Sequence, residues 1–479
     1  MTAHDASNVH TISHRGATVT MTDKIYDELL AMANSQLECA AVVLGHLVAG
    51  PSHSPRLVLK SVRHVPDDAY RIQNNHELEI TSEGYMHALS EASSSHAVAI
   101  WVHTHPGDGA IVAPSHHDET VNSQLRDVFA LRSTPDCYAW MILGHTHDRL
   151  TFTGAIENLH GDLIPLTRLN VVGAGLRRIS SQNAVDQQTG TLPELFDRNI
   201  RALGFDVQRV ITDLTFAVVG VGGTGSAVAE QLVRLGARRL ILIDPDTMSL
   251  SNITRVYGST PLDVDQPKVD VLRRHLTKIA PDLRIYAIQG TVVAEPVARE
   301  LLGADVIFGC TDDNAGRLRL SRIPYYYYIP VIDCGVLLTS NTDDIIDGIF
   351  GRVTTIHPGS ACLICRGRVD LAMAEAEIRP PEQQQRLEQE NYAPALPGIE
   401  PALVTFTTMT ASWAVSELLE RLIGYGEHPT PSELLIRVHD REINANCAGP
   451  TAGHYCHPDE ELSYDDEMFL GMNWPTCHT

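Results

Sequence analysis

Hydrophobic and polar positions follow a mixed rhythm in the first third of the chain. VVLGHLVAG (42–50) and LVLKSVRHV (57–65) are short, β-branched and leucine-rich runs of strand type, and the run from Ile80 to Ala92 spaces its apolar residues as an amphipathic helix does. Strands and helices intermix in this way from Ala17 to about Val172, which predicts an α+β domain. The pattern then stops. From Ile179 to Pro193 the chain is polar, contains glycine and has no period, so it reads as an exposed connection and a domain boundary.

A second pattern follows. The strand LTFAVVG leads into the glycine turn VGGTGS, the helix AVAEQLVRLGA and the strand RLILID, which together make a βαβ unit. DVIFGC and IPVIDCGV are further apolar strands, so the expected architecture is a Rossmann-like α/β domain with a largely parallel sheet. Between Glu375 and Pro401 the composition turns to Gln, Glu and Pro, which reads as a mobile loop or a short surface helix. A long helix from about Val404 to Leu422 brings the chain back, and no repeat of solenoid period occurs.

Composition narrows the range of functions. A chain of 479 residues exceeds one core and fits two domains, and 43% hydrophobic with 20% charged residues is an ordinary globular balance. The 36 Lys and Arg stand against 59 Asp and Glu, and the resulting formal charge of −23 repels phosphate backbones and anionic lipid. Protein and nucleotide partners are expected, not nucleic acid or membrane. The N-terminal residues lack the apolar core of a signal peptide, and no stretch approaches the roughly 18 apolar residues of a membrane span, so a soluble cytoplasmic protein is expected. Nine cysteines, one pair spaced C-x-x-C, suggest metal binding in a reducing compartment and not disulfides.

Two constellations carry chemistry. In AIWVHTHPGDGAIVAPSHHDE, His103 and His105 lie two apart at a strand end and project to one side, and Asp118 falls on the first turn of a helix opened by Pro114 and Ser115. Two imidazoles and a carboxylate leave the fourth position of a tetrahedral zinc ion open to water, the arrangement of a hydrolytic site. Glu38, set among apolar residues, is the candidate proton acceptor, and Ser115 the candidate donor to an oxyanion. His145 and His147 in GHTHD imitate the pair but lack the succeeding Pro and S-x-x-D, and His116 and His117 read as solvated neighbours. The set Glu38, His103, His105, Pro106, Ser115 and Asp118 resembles the JAMM (MPN-plus) metalloprotease pattern of a distant Glu, H-x-H-P and S-x-x-D. That resemblance implies a catalytic zinc and cleavage of peptide or isopeptide bonds after the C-terminus of ubiquitin-like proteins.

The second constellation is VVGVGGTGS, where Gly220, Gly222, Gly223 and Gly225 form a turn between strand and helix that lets phosphates approach backbone N–H groups. This fingerprint also fits NAD enzymes, and Asp244 at the next strand end would bind a ribose in either case. The continuation discriminates: Asn252, Arg255 and Lys268 place an amide and two cations in one stretch, suited to a triphosphate, and Asp312 at a strand end can hold magnesium. The whole segment resembles the ThiF, MoeB and ubiquitin-activating superfamily, with its G-x-G-G-x-G-S and D-x-D-x-x-x-x-S-N-x-x-R patterns, a downstream Lys, and C-T-D followed by Arg. By that resemblance Asp244 binds ribose, Asn252, Arg255 and Lys268 the phosphates, and Asp312 the magnesium of ATP, with Asp246 a second-line candidate. Asp313 stands where the family usually writes Asn. Arg198 matches the family arginine that reaches into the other subunit's ATP site, which implies a homodimer.

Cys362 and Cys365 have ligand spacing for zinc, and the resemblance implies a second pair near the chain end, for which Cys447 and Cys456 are the best candidates with His454 and His457 as substitutes. The superfamily's thioester cysteine has no counterpart, because residues from Val369 to Pro401 contain no Cys. Either another protein's thiol takes the acyl group, or a displaced residue such as Cys477 acts. The resulting plan is a JAMM-type zinc isopeptidase domain at 15–175, a linker at 176–195, an adenylation domain at 196–445 and a tail at 446–479 holding ligands of a structural zinc. The implied partner is a ubiquitin-like or sulfur-carrier protein, with a conjugating enzyme as a further partner; the alternative to modifier conjugation is sulfur-carrier activation for thiocarboxylate formation.

Overall fold

A computed structural model describes residues 16–50, 53–109, 112–158, 162–181, 194–340, 346–389, 402–426, 428–460, 462 and 466–474. Contacts divide the chain into two compact units, residues 1–170 with 178–189, and residues 171–177 with 190–479. Most of the expected linker, residues 390–401 and Cys477 lie outside the described residues.

The first unit is built on β1 (Ala17–Thr22), β2 (Ala40–Gly50), β3 (His53–His64), β6 (Val98–Asp108), β7 (Cys137–Thr146), β8 (Arg149–Asn158), β9 (Leu163–Val172) and β10 (Leu176–Ser180), of which Val171, Val172, Leu176 and Arg177 count with the second unit. They run in the order β1-β3-β2-β6-β7-β8-β9-β10, and a further β1–β9 pairing closes the sheet on itself. A two-stranded ribbon, β4 (Tyr70–Gln73) and β5 (Leu78–Ile80), and the helices α1 (Asp23–Ala33), α2 (Glu83–Ser94) and α3 (His116–Ala130) complete it. Val98 to Val102 of β6 are all nearly inaccessible, so this central strand shows no polar alternation until it reaches His103. The helix expected from Ile80 begins instead at Glu83, because Ile80 pairs with Tyr70 in the ribbon.

The second unit contains α4 (Asp197–Leu203), α5 (Phe205–Asp213), β11 (Thr215–Val219), α6 (Gly223–Leu235), β12 (Arg239–Asp244), α7 (Lys268–Ile279), β13 (Arg284–Gln289), α8 (Glu295–Glu300), β14 (Val306–Gly309), α9 (Asn314–Leu320), α10 (Ile323–Tyr327) and β15 (Val331–Ser340). It continues with β16 (Ile346–Ile356), α11 (Leu371–Glu377), α12 (Pro381–Gln389), α13 (Val404–Ile423), β17 (Glu433–Arg437) and β18 (Glu442–Asn446). The sheet order is β13-β12-β11-β14-β15-β16-β17-β18. Pairing is parallel from β13 to β15 and antiparallel from there on, so the sheet is mixed where a largely parallel one was expected. The difference has a simple origin. β15 and β16 form a hairpin, which needs no crossover helix, whereas every parallel connection before it does.

The core joins β11, β12, β14 and β15 to α6, α7 and α13, whose Ala411, Ala414, Val415 and Leu418 form one buried face. In the segment from Glu375 to Pro401, α11 ends at Glu377 and α12 spans Pro381–Gln389. No helix among the described residues is long and apolar enough to cross a membrane.

Candidate functional site

In the first unit the antiparallel register of β2 and β6 sets Ala40 opposite His103, with Ala41 opposite Val102. Continued one step at a time, that register carries Glu38 to the level of His105, on the same sheet face as both histidines. Cys39 lies between them, its N–H donating to Thr104 Oγ1 at 2.9 Å and its C=O accepting from Thr104 N–H at 2.9 Å. Glu38 itself is pinned by the ribbon: its N–H donates to Asn74 O at 2.8 Å and its C=O accepts from Gln73 Nε2 at 3.0 Å. The sequence carries no local signal for Gln73 or Asn74, since their role arises from β4 and β5 folding over a segment 35 residues away.

Asp118 enters from α3. Ser115 caps that helix with its Oγ accepting from Asp118 N–H at 3.2 Å, while Asp118 Oδ2 accepts from Ser115 N–H at 2.6 Å. This reciprocal capping box fixes the carboxylate. Asp118 Oδ1 lies 3.0 Å from His103 Nε2 and Oδ2 lies 3.5 Å from His105 Nε2. A tetrahedral zinc ion with bonds near 2.0–2.1 Å separates adjacent nitrogen and oxygen ligands by about 3.3 Å, so the three side chains fit such an ion. His103 is buried, and its Nε2 faces Asp118 Oδ1 without a well-formed hydrogen bond, which leaves that nitrogen available as a ligand. Burial holds the Glu38 carboxyl above its usual range against the pull of His103 and His105, whereas for Asp118 the desolvation is outweighed by the neighbouring His103 and His105, which hold its carboxyl below the ordinary range.

In the second unit Gly220 closes β11 at φ +84°, and a Cβ there would stand 2.6 Å from the carbonyl oxygen of Cys310 at the end of β14. A Cβ on Gly225 would collide with the carbonyl of Gly220, so α6 packs against the turn at its closest approach, while Gly222 faces open space where a phosphate can enter. Asp244 is 5% exposed and braces the turn: Oδ2 accepts from Val221 N–H at 2.8 Å, and Oδ1 accepts from Asp246 N–H at 2.9 Å. Burial raises its carboxyl above the ordinary range. Lys268 Nζ lies 2.7 Å from Asp246 Oδ2 and 3.9 Å from Asp244 Oδ1, so Asp246 is the counter-ion of the phosphate-binding candidate.

Gly223 lies against the Arg255 side chain, which puts that guanidinium's stem beside the start of α6. Asn252 is buried and its Oδ1 accepts from Ser249 N–H at 3.1 Å. Asp312 is exposed three residues beyond the last residue of β14, at the carboxyl end of a parallel strand. Asp313 instead caps α9, accepting from Gly316 N–H at 2.5 Å. Arg198 is exposed on α4.

Cys362, Cys365, His454 and Cys456 converge, with Cys362 and Cys365 Sγ each 3.4 Å from His454 Nδ1, His454 Nδ1 3.2 Å from Cys456 Sγ, and Cys365 Sγ 3.6 Å from Cys456 Sγ. A zinc ion with Zn–S near 2.3 Å spaces its ligands by about 3.5–3.8 Å, so this set fits one with little adjustment. Cys447, expected as a ligand, is not part of it. Ala448 O accepts from Ala361 N–H at 3.2 Å, which holds the chain here while the Cys447 thiol turns to Pro429 O, 3.9 Å away, and only beyond Gly453 does the backbone reach Cys362. The fourth member of the set is His454.

Residues 196–446 match the ThiF family over half of the chain. The chain belongs to the ThiF family. Among curated ThiF-type relatives, it is 32% identical over 194 residues to the molybdopterin-synthase adenylyltransferase of Salmonella typhimurium, covering 39% of this chain and 74% of that protein. It is 33% identical over 130 residues to the sulfur carrier protein ThiS adenylyltransferase of Escherichia coli, covering 27% of this chain and 52% of that one. Ubiquitin-like modifier-activating enzyme 5 of Drosophila persimilis is 29% identical over 269 residues, 52% of this chain and 62% of the relative. The ThiF match takes in the nucleotide candidates and Cys362 and Cys365, whereas His103, His105, Asp118, His454 and Cys456 lie outside the matched residues.

Proposed function

We propose that the chain adenylates the C-terminal carboxylate of a ubiquitin-like or sulfur-carrier protein, and that its first unit is a zinc-dependent peptidase of JAMM type acting on bonds to the same class of protein. The observation that carries the first half is the turn at Gly220–Gly225 braced by buried Asp244, with Lys268 and Arg255 beside it, inside the ThiF match. Asp244 would accept from the ribose. Arg255, Lys268 and Asn252 would hold the phosphate chain, and Asp312 would hold magnesium, which when bound neutralises charge on the phosphates. The attacking carboxylate oxygen forms a bond to the α-phosphorus, the bond to the β-phosphate oxygen breaks, and pyrophosphate leaves. Arg198 would complete the site of a second subunit in a homodimer. ATP–pyrophosphate exchange in the presence of candidate carrier proteins tests this reading: exchange that depends on a free carrier C-terminus supports it, and none with any carrier ending in a free glycine carboxylate overturns it.

The second half rests on the convergence of His103, His105 and Asp118 with Glu38 at the level of His105. These residues would hold zinc, which when bound lowers the pKa of a water and polarises a carbonyl. Glu38 would take the proton from that water and return it to the leaving amine, and the Ser115 hydroxyl, whose oxygen already accepts from the helix, keeps its hydrogen for the developing oxyanion. Cleavage would expose the carboxylate that adenylation needs. The names of the molybdopterin and ThiS relatives favour sulfur-carrier activation as the alternative outcome, and mass analysis of the acyl acceptor separates a thiocarboxylate from a conjugate.

A further inference from the structure

Asp333 on β15 is fully buried beside Gly309 of β14, three residues before Asp312. Its Oδ2 accepts from Arg352 Nη2 at 2.6 Å, while Arg317 Nε stands 3.6 Å from Oδ1, which has no hydrogen-bond partner. Arg317 comes from α9, the helix that follows Asp312, and Arg352 from the antiparallel strand β16. The Nε groups of both arginines are also buried without partners. A Cβ added to Gly335 would lie 3.3 Å from Arg352 Nη2 and 3.5 Å from Arg317 Nη2, so both guanidinium groups converge over that glycine.

Two guanidinium groups against one carboxylate leave one positive charge uncompensated, and no other acidic side chain forms an ion pair with either arginine among the described residues. The side chains are only 16% and 15% exposed, so water screens this surplus poorly. Arg317 Nη2 donates to Cys334 O at 3.5 Å and Arg352 Nη2 to Asp333, so what the pair lacks is a second anion to balance its charge. The cluster lies at the carboxyl end of β14, where Gly309 is paired with Asp333 and Asp312 follows three residues on.

We propose that Arg317 and Arg352, held by Asp333, receive a carboxylate of the protein substrate's C-terminal tail and position it for adenylation. Two planar forks converging on one point match a carboxylate bidentately, and this explains why a second arginine is supplied from β16 when Arg317 alone would neutralise Asp333. The inference rests on the adenylation reading for the identity of the tail. The anion site itself does not. A phosphate oxygen of the nucleotide offers related chemistry, so the test separates the two sources.

Full-length protein is titrated calorimetrically with Mg-ATP, and by ligand-observed NMR with glycylglycine as the free acid and as its C-terminal amide. Arg352→Met leaves one arginine against one aspartate, a neutral pair, so it should stay folded; Arg352→Lys keeps the charge but loses the fork. The free acid is expected to bind wild type at least tenfold more tightly than the amide does. Arg352→Met and Arg317→Met should each weaken the acid tenfold or more, Arg352→Lys should recover part of the loss, and Mg-ATP affinity should stay within about twofold. Equal binding of acid and amide, unchanged acid binding in both Met variants, or a parallel loss of Mg-ATP affinity would overturn the proposal. Failure of wild type to bind Mg-ATP would count against adenylation, while the glycylglycine series still decides the anion site.

Discussion

At the scale of single residues, Glu38 and His357 show how burial sets what a titratable group can do. Glu38 is held by backbone hydrogen bonds to the ribbon, so its carboxyl is free to act. Glu38→Gln should keep bound zinc at the wild-type level and lower cleavage of a modifier fusion about 100-fold or more, the contribution typical of a positioned general base. His103→Ala should lose metal and cleavage together. Metal analysis and a cleavage assay run in parallel check both, and wild-type cleavage by Glu38→Gln would remove that residue from the mechanism. His357, in the second unit, places its Nδ1 2.9 Å from Pro358 O, and burial together with Arg421 and Arg366 lowers its pKa from the ordinary 6.5 to about 4. The unfolded chain therefore takes up a proton, as pH falls through 6.5, that the folded chain refuses until about pH 4. The sign is fixed: this group contributes stability above pH 6.5 that drains away across that window, on the order of 3 kcal/mol in all. His357→Asn should flatten the acid limb of the stability curve between those values, as read by denaturant unfolding at several pH values.

At the scale of elements, the turn from β11 to α6 depends on close approach of two strand ends. Gly220→Ala would meet a positive φ and the Cys310 carbonyl at once, so the variant should lose roughly 1–3 kcal/mol and weaken ATP binding, as measured by the denaturation midpoint and by calorimetry. The strand, glycine turn and helix were legible in VVGVGGTGS because tight turns and helix starts are local chemistry. The ligand from the chain end was not. Cys447 and His454 were both available near Cys456, and only the pairing of the chain at Ala448 with Ala361 decided which of them faces Cys362. The switch from parallel to antiparallel pairing at β15 likewise followed from a hairpin that no periodicity announces.

At the scale of the whole molecule, the exposed position of Arg198 gives a test of assembly. Asp312→Ala and Arg198→Ala should each be nearly inactive in ATP–pyrophosphate exchange, since both would serve charge developing at the phosphates. If Arg198 acts in trans, mixing the two variants should return activity, up to about a quarter of wild type for random exchange across a two-fold interface. No return despite demonstrated subunit exchange would leave Arg198 outside the other subunit's site. By itself, the sequence determined the second unit's family pattern, the place of Asp312 beyond a strand end and the helix that offers Asp118, because each depends on residues close together in the chain, whereas His103 and His105, expected at a strand end, lie inside β6, which runs on to Asp108. Only the tertiary structure decided what surrounds them: the closure of the first sheet by β1 and β9, the ribbon that fixes Glu38, the Asp246 partner of Lys268, and the two arginines over Gly335. Those arrangements join residues far apart in the chain, and their positions follow from packing and from the neutralisation of buried charge, which no local pattern encodes.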